Sequence, residues 1–317
     1  MHTARVSLVI VAAIVARGAS GMVATPARVA RAGLRSRSAM RMVATTTTTP
    51  GAITPDAITV DQPLRVLVAG GGVGGLMVAK ALRQFAGDRV EVTVLERVRD
   101  FKLFGGPIQL ASNALETIKT VDLELYNKIE AVATFTGDRT CGIKDGIRSE
   151  WYAKFDLLTP AASRGMPPTC VVARPDLQAI FLEDLGECVR CGAGVASYER
   201  DGVTGVTAIM NDGSKVRGDV LIGADGIWSS VRAKMYGEPM VRGPGATAQY
   251  SGYAVFAAET FCDPPDRKET GYKVYIGPEQ YFVISDIGGG QMQWYAFVAL
   301  PEGFIPPTDM LSYIKNR

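Results

Sequence analysis

The apolar positions of this chain open with a block and then settle into repeats. Val6 to Ala16 is an eleven-residue run broken only by Ser7. Further along, Leu64-Arg65-Val66-Leu67-Val68-Ala69 is short and β-branched and runs into Gly70-Gly71-Gly72-Val73-Gly74-Gly75. Leu76 to Leu82 follows as an apolar stretch of strong helix formers, so the pattern predicts strand, glycine turn, helix. Val90 to Leu95 repeats the strand pattern and ends at Glu96. Val171 to Ile180 reads as a strand entering a helix, with Pro175 suited to the first helical position and Leu177 and Ile180 on one face. Gly218 to Arg232 is again strand, glycine turn, helix. From 246 to 300 at least three strand-like runs rich in Tyr, Phe and Val are broken at Asp263-Pro264-Pro265-Asp266 and at Gly288-Gly289-Gly290.

The first repeat carries chemistry. In Gly70-x-Gly72-x-x-Gly75, Gly70 allows a tight turn, Gly72 lets the backbone approach a pyrophosphate, and Gly75 lets the helix pack on the strand. The helix N-terminus, at Val73 and Gly74, presents unpaired N–H groups and partial positive charge to phosphates. Glu96 stands 21 residues beyond Gly75 at the tip of the next strand, where an acid accepts hydrogen bonds from an adenosine ribose. A glycine-rich loop that merely packs accounts for the glycines but not for Glu96. Dinucleotide binding follows, with NAD and FAD both open.

Composition narrows the chemistry. The chain's 317 residues, 47% of them apolar, suffice for one large domain or two modest ones. With 34 Lys+Arg against 32 Asp+Glu there is no basic field of the kind that binds nucleic acid. The only histidine is His2. That disfavours a Ser-His-Asp or Cys-His pair, a haem with proximal histidine and most zinc enzymes, so a bound cofactor is expected to do the chemistry and no metal is expected. Five cysteines at irregular spacing do not make a disulfide scaffold. Cys188-x-x-Cys191 reads as two ordinary thiols, with a regulatory pair as the alternative.

Residues 1–62 hold seven of the basic residues but only Asp56 and Asp61 among the acids, so the net charge of +2 originates there. The run Val6–Ala16 is shorter than the roughly 18 residues a membrane span needs and follows a basic start, as in a secretory signal. Pro26 to Met42, rich in Ala, Arg and Ser and free of acids, has the makeup of a transit peptide. A signal plus transit peptide over 1–42 is the double address of a plastid with extra membranes, the alternative being one long leader. Residues 43–63, with five threonines at 45–49 and Pro50, form a linker.

The segment Asp225-Gly226-x-x-Ser229-x-x-Arg232 resembles the second signature of the single-component FAD monooxygenases of aromatic-hydroxylase type. Read from the residues alone, capping of the following helix by Asp225 is the alternative. Longer tracts make the resemblance specific: Gly106-Pro107-Ile108-Gln109, Thr136-Gly137-Asp138-Arg139, Trp151 to Asp156, Thr159 to Gly165, Tyr250 to Tyr253, and Gln280 to Asp286 running into Gly288 to Phe297. By these the chain resembles the zeaxanthin epoxidase family over nearly all of 64–300.

The resemblance implies an α/β fold: a Rossmann-like FAD-binding domain, discontinuous over 64–130 and 166–240, interleaved with an antiparallel-sheet substrate domain over 131–165 and 241–317. It implies FAD as cofactor, bound by Gly70, Gly72, Val73, Gly74, Gly75, Glu96, Arg97, Arg174, Asp225 and Gly226. For Arg174, a plain surface charge is the alternative. It also implies reduction by NADPH, directly or through ferredoxin, and O2-dependent epoxidation of a xanthophyll ring by a plastid protein touching the thylakoid surface. Two departures stand out. Gly105, with Lys102 nearby, occupies a position where the family commonly has Arg, and the family's third cofactor segment is not found before Arg317, where a new helix begun at Thr308 or Asp309 stops. The chain is therefore expected to be C-terminally truncated. A flavin-dependent isoprenoid dehydrogenase or reductase and a non-catalytic FAD- or carotenoid-binding fragment remain the competing readings.

Overall fold

A computed structural model describes residues 58–101, 106–202, 205–240 and 248–305. The leader and transit segment, Lys102 and Gly105, and the helix expected from Thr308 lie outside the described residues. In chain order the elements begin with β1 (Leu64–Ala69), α1 (Val73–Ala86), β2 (Val90–Leu95), β3 (Ile108–Leu110), α2 (Ser112–Val121) and α3 (Leu123–Val132). Then come β4 (Thr134–Phe135), β5 (Thr140–Asp145), β6 (Trp151–Phe155), α4 (Leu158–Ala162), β7 (Cys170–Val172) and α5 (Arg174–Leu185). β8 (Val189–Arg190), β9 (Val195–Arg200), β10 (Val206–Met210), β11 (Lys215–Gly218), β12 (Val220–Gly223) and α6 (Ser230–Tyr236) follow. The last four are β13 (Tyr253–Phe261), β14 (Thr270–Gly277), β15 (Gln280–Gly288) and β16 (Gln291–Ala299).

The central sheet is parallel in the order β12-β1-β2-β8. Its strands are apolar on both faces because both are covered. Val66, Val68, Val92, Val94 and Ile222 pack against Leu76 and Ala79 of α1 and Leu177, Phe181 and Leu185 of α5. The alternate residues Leu67, Ala69, Leu95 and Leu221 pack on the opposite side against Val195, Tyr198, Val206 and Ala208 of an antiparallel meander, β11-β10-β9. The sequence pattern does not single out this meander, since its short strands mix charged and apolar residues. Two ion-pair sets fasten the layers. Arg65 grips Asp219 with two hydrogen bonds at 3.2 and 2.9 Å, and Lys80 of α1 reaches Asp122 at 2.6 Å and Asp184 at 2.7 Å.

The second large sheet runs β13-β16-β15-β14-β5-β6 and is antiparallel except where β14 lies parallel to β5. One face carries stacked Tyr281 and Phe297, with centroids 4.1 Å apart, flanked by Tyr253 and Tyr295. The two sheets are tied through the small sheet β3-β7-β4 and through Tyr295, whose hydroxyl donates to the Pro107 carbonyl at 3.3 Å. Among the described residues no helix is long and apolar enough to cross a membrane.

Candidate cofactor site

The carboxyl ends of β1, β2 and β12 open on one cleft, at the point where the chain leaves β1 for β2 on one side and later returns as β12 on the other. This is where open α/β sheets bind ligands. The cleft holds a cavity of about 630 Å³, within the 300–1,000 Å³ of small-molecule sites. Gly70 and Gly72, Glu96 and Arg97, Arg174, and Asp225 and Gly226 all line it. Val73, Gly74 and Gly75 form the first turn of α1 beside them.

The two glycine turns interlock. Gly70 has φ +103°, and a Cβ there would collide with the carbonyl of Ala224 in the second turn, while a Cβ on Gly75 would overlap the Gly70 carbonyl oxygen. Gly72 and Gly74, by contrast, face open space, with nothing within 4 Å of a Cβ added at either. Gly72 is also the N-cap of α1; it offers no side-chain cap, and the first turn has no acid. The N–H groups there are thus left for an anion, and a pyrophosphate fits both the open approach and the helix field. The residues present fit the adenosine–pyrophosphate portion of FAD.

Glu96 occupies the place expected for a ribose acceptor, and its carboxylate also braces the loop. Oε2 accepts from the Gly71 N–H at 2.6 Å and Oε1 from the Val98 N–H at 2.9 Å. Asp225 both caps a helix and lines the cleft. Oδ1 accepts from the Ser229 hydroxyl at 2.5 Å and Oδ2 from the Ser230 N–H at 2.7 Å, so it caps α6 while lining the cleft. Ser229 in turn accepts from the Arg232 N–H at 3.0 Å, and the Arg232 guanidinium donates to the Ile227 carbonyl and to Glu238, each at 3.0 Å. The Asp-Gly-x-x-Ser-x-x-Arg spacing is therefore one hydrogen-bonded turn, held by every polar member of the motif. Arg174 opens α5 with its side chain exposed at the cleft.

Several lining residues escaped the sequence analysis: Gly71, Phe101, Gln178, Gly194, Asn211 and Trp228. Gly194 and Asn211 come from the meander, which has no dinucleotide signature. Gln178 had a usable signal, four residues after Arg174 and so on the same helix face. Trp228 and its neighbour Ile227 are 37% and 64% exposed at the cleft.

Among the described residues no group of His, Cys, Asp and Glu could hold a metal ion. Cys188 and Cys191 bracket the two extended residues of β8, and three Cα steps separate their Cα atoms by about 10 Å. A disulfide needs less than about 7 Å. Cys188 donates to the Leu185 carbonyl at 3.1 Å, and burial pushes both thiols up from their ordinary value. Oxidation of the protein followed by non-reducing peptide mapping is expected to yield no Cys188–Cys191 cross-link; an internal bridge there would mean that β8 rearranges.

The sequence of residues 63–298 matches the family model described as FAD binding domain. This chain belongs to the FAD-binding domain family. It is 44% identical over 250 residues to a chloroplastic zeaxanthin epoxidase of Oryza sativa subsp. japonica, covering 77% of this chain and 36% of that protein. Its identity to the Spinacia oleracea zeaxanthin epoxidase is 41% over 262 residues, covering 81% of this chain and 38% of the relative. The chain thus spans little more than a third of the length of these curated relatives. Among solved structures, Klebsiella pneumoniae HpxO complexed with FAD and uric acid superposes with a TM-score of 0.64 at 26% identity, over 79% of this chain and 60% of that one. A salicylate hydroxylase substrate complex shares the fold, with a TM-score of 0.59 at 21% identity over 78% of this chain and 59% of that one. The α/β architecture, with a parallel FAD-binding core and added antiparallel sheets, is that of the family.

Proposed function

We propose that this chain is the FAD-binding and substrate-facing part of a monooxygenase that epoxidises a xanthophyll ring, converting zeaxanthin to antheraxanthin and violaxanthin or acting on a related carotenoid. The observation that carries the reading is the identity to zeaxanthin epoxidases over 250 residues, far beyond the glycine motifs. The chloroplastic relatives support a plastid location; the composition of residues 1–42 and the membrane-borne substrate support import through a bipartite leader and contact with the thylakoid surface. In this reading 64–130 and 166–240 form the cofactor domain and 131–165 and 241–317 the substrate domain.

When bound and reduced by NADPH, directly or through ferredoxin, FAD supplies the activated oxygen from O2. The chain's own groups bind and orient. The N–H groups at Val73, Gly74 and Gly75 hold the pyrophosphate, Glu96 and Arg97 the adenosine end, and Arg174 with Asp225-Gly226 the flavin-ward half. The face bearing Tyr281, Tyr295 and Phe297 gives the ring an apolar wall, with Tyr295 hydrogen-bonded to Pro107. No step calls for a side-chain nucleophile, in keeping with a body without histidine.

The test is turnover of the FAD-loaded chain with zeaxanthin in micelles and NADPH, with and without O2. Expected is an epoxide that forms only aerobically and takes one labelled atom from isotopic O2. Product formed anaerobically with an artificial acceptor would establish a dehydrogenase instead, and FAD uptake without any turnover would establish a binding fragment.

A further inference from the structure

We infer that Gln178 is a positioning residue for the cofactor loop: with Glu96 it pins both backbone hydrogen-bonding groups of Gly71, and the inference rests on the FAD reading above. Gln178 is only 8% exposed, an uncommon burial for an amide side chain, and it lies on the cleft wall. Its Nε2 donates to the Gly71 carbonyl at 3.3 Å, while the Gly71 N–H donates to Glu96 Oε2 at 2.6 Å. Two elements far apart in sequence, α5 and the turn after β2, thus grip one glycine from both of its peptide groups.

Glycine is the residue whose peptide planes rotate most freely, and Gly71 stands between two more glycines. In a trans peptide the carbonyl and the following N–H point in opposite directions. Holding the Gly71 carbonyl at Gln178 therefore also fixes the Gly72 N–H, the first donor ahead of α1. A free carbonyl could instead turn its partial negative charge toward the bound pyrophosphate, and the two would repel. The clamp sets the loop before the ligand arrives, which lowers the ordering cost of binding. A neutral amide suits the task, because a carboxylate at 178 would face both the carbonyl and the phosphates with negative charge. Packing of α5 does not depend on it, since Leu177, Phe181 and Leu185 carry the buried face.

The experiment measures Kd for FAD and for ADP with the full chain, its Gln178→Met and Gln178→Glu variants, and the thermal midpoint of each ligand-free form. Methionine keeps the length and loses the donor. Gln178→Met is expected to weaken FAD and ADP alike by about tenfold, with a ligand-free midpoint within about 2 °C of wild type, and Gln178→Glu to weaken both by about a hundredfold. Equal loss for ADP places the effect at the pyrophosphate half. Should the Met variant fail to fold, Gln178→Asn keeps the amide but falls a methylene short, and the same tenfold loss is expected. Unchanged affinities would overturn the clamp, as would loss for FAD but not ADP, or losses that follow a fallen midpoint. Wild type that takes up neither ligand would overturn the FAD reading and the clamp together, whereas uptake unaffected at 178 would overturn the clamp alone.

Discussion

Gly75→Ala is expected to lower the thermal midpoint of the ligand-free protein by about 10 °C, whereas Gly72→Ala leaves it within about 2 °C and raises the Kd for FAD about a hundredfold. The two glycines belong to one motif but do different work. A methyl on Gly75 overlaps the Gly70 carbonyl oxygen, with the Ala224 side chain 3.3 Å away, and all of that is chain that cannot swing aside. Relief requires α1 to move off β1, which disturbs the contacts of Leu76 and Ala79 in the core. A methyl on Gly72 meets no protein atom within 4 Å. It projects into the space through which a pyrophosphate must approach, so the loss falls on the ligand alone. Differential scanning of both ligand-free variants, with FAD titration of Gly72→Ala, separates the two effects. A Gly72→Ala protein that binds FAD normally would mean that the phosphates lie elsewhere.

Asp286→Ala is expected to destabilise the protein by about 3 kcal/mol, and Asp286→Asn by roughly half of that. Asp286 is 4% exposed and sits between two arginines. Its Oδ2 accepts from Arg139 at 2.6 Å, Arg267 lies 3.5 Å from Oδ1, and the Gly288 N–H donates to Oδ1 at 3.0 Å. Deletion leaves the partly buried Arg139 with only the more distant Asp138, 4.0 Å away, leaves Arg267 to Asp263 at 3.2 Å, and frees the β15–β16 turn. That turn matters to the site because a Cβ on Gly288 would overlap Thr134 Oγ1 of β4, so the aromatic sheet meets the small sheet β3-β7-β4 there. Urea denaturation of the three proteins at neutral pH measures the effect. A change under about 1 kcal/mol for Asp286→Ala would show that the arginines find water or other partners.

The parts of the site that could be read from the sequence are those built from one continuous segment. Gly70 to Gly75 needs a strand before it, a helix after it and an acid at the next strand tip, all inside about 35 residues. The fold bears out that local order. Asp225 to Arg232 is equally local, and its hydrogen bonds run within eight residues. What stayed hidden is non-local. The parallel pairing of β14 with β5 joins residues some 130 positions apart and leaves no periodic trace in either strand. Gln178 stands four residues after Arg174, which marks it as near the cleft, but its hydrogen bond to the Gly71 carbonyl, 107 residues upstream, leaves no local trace. Asn211 and Gly194 reach the cleft because the meander packs under Leu67, Leu95 and Leu221, a contact no single segment encodes. Glu96 was legible as an acid at the right place, while its brace on Gly71 and Val98 depends on a turn that only the folded loop defines.

The central claim is that the cleft at the carboxyl ends of β1, β2 and β12 binds FAD. Equilibrium titration of the chain with FAD, followed by quenching of flavin fluorescence, tests it most directly. Saturable one-to-one uptake is expected, with a Kd of about 10 μM or tighter, displaced by ADP and weakened about a hundredfold by Gly72→Ala. Absence of uptake by folded protein, or uptake indifferent to Gly72 and to ADP, would contradict it.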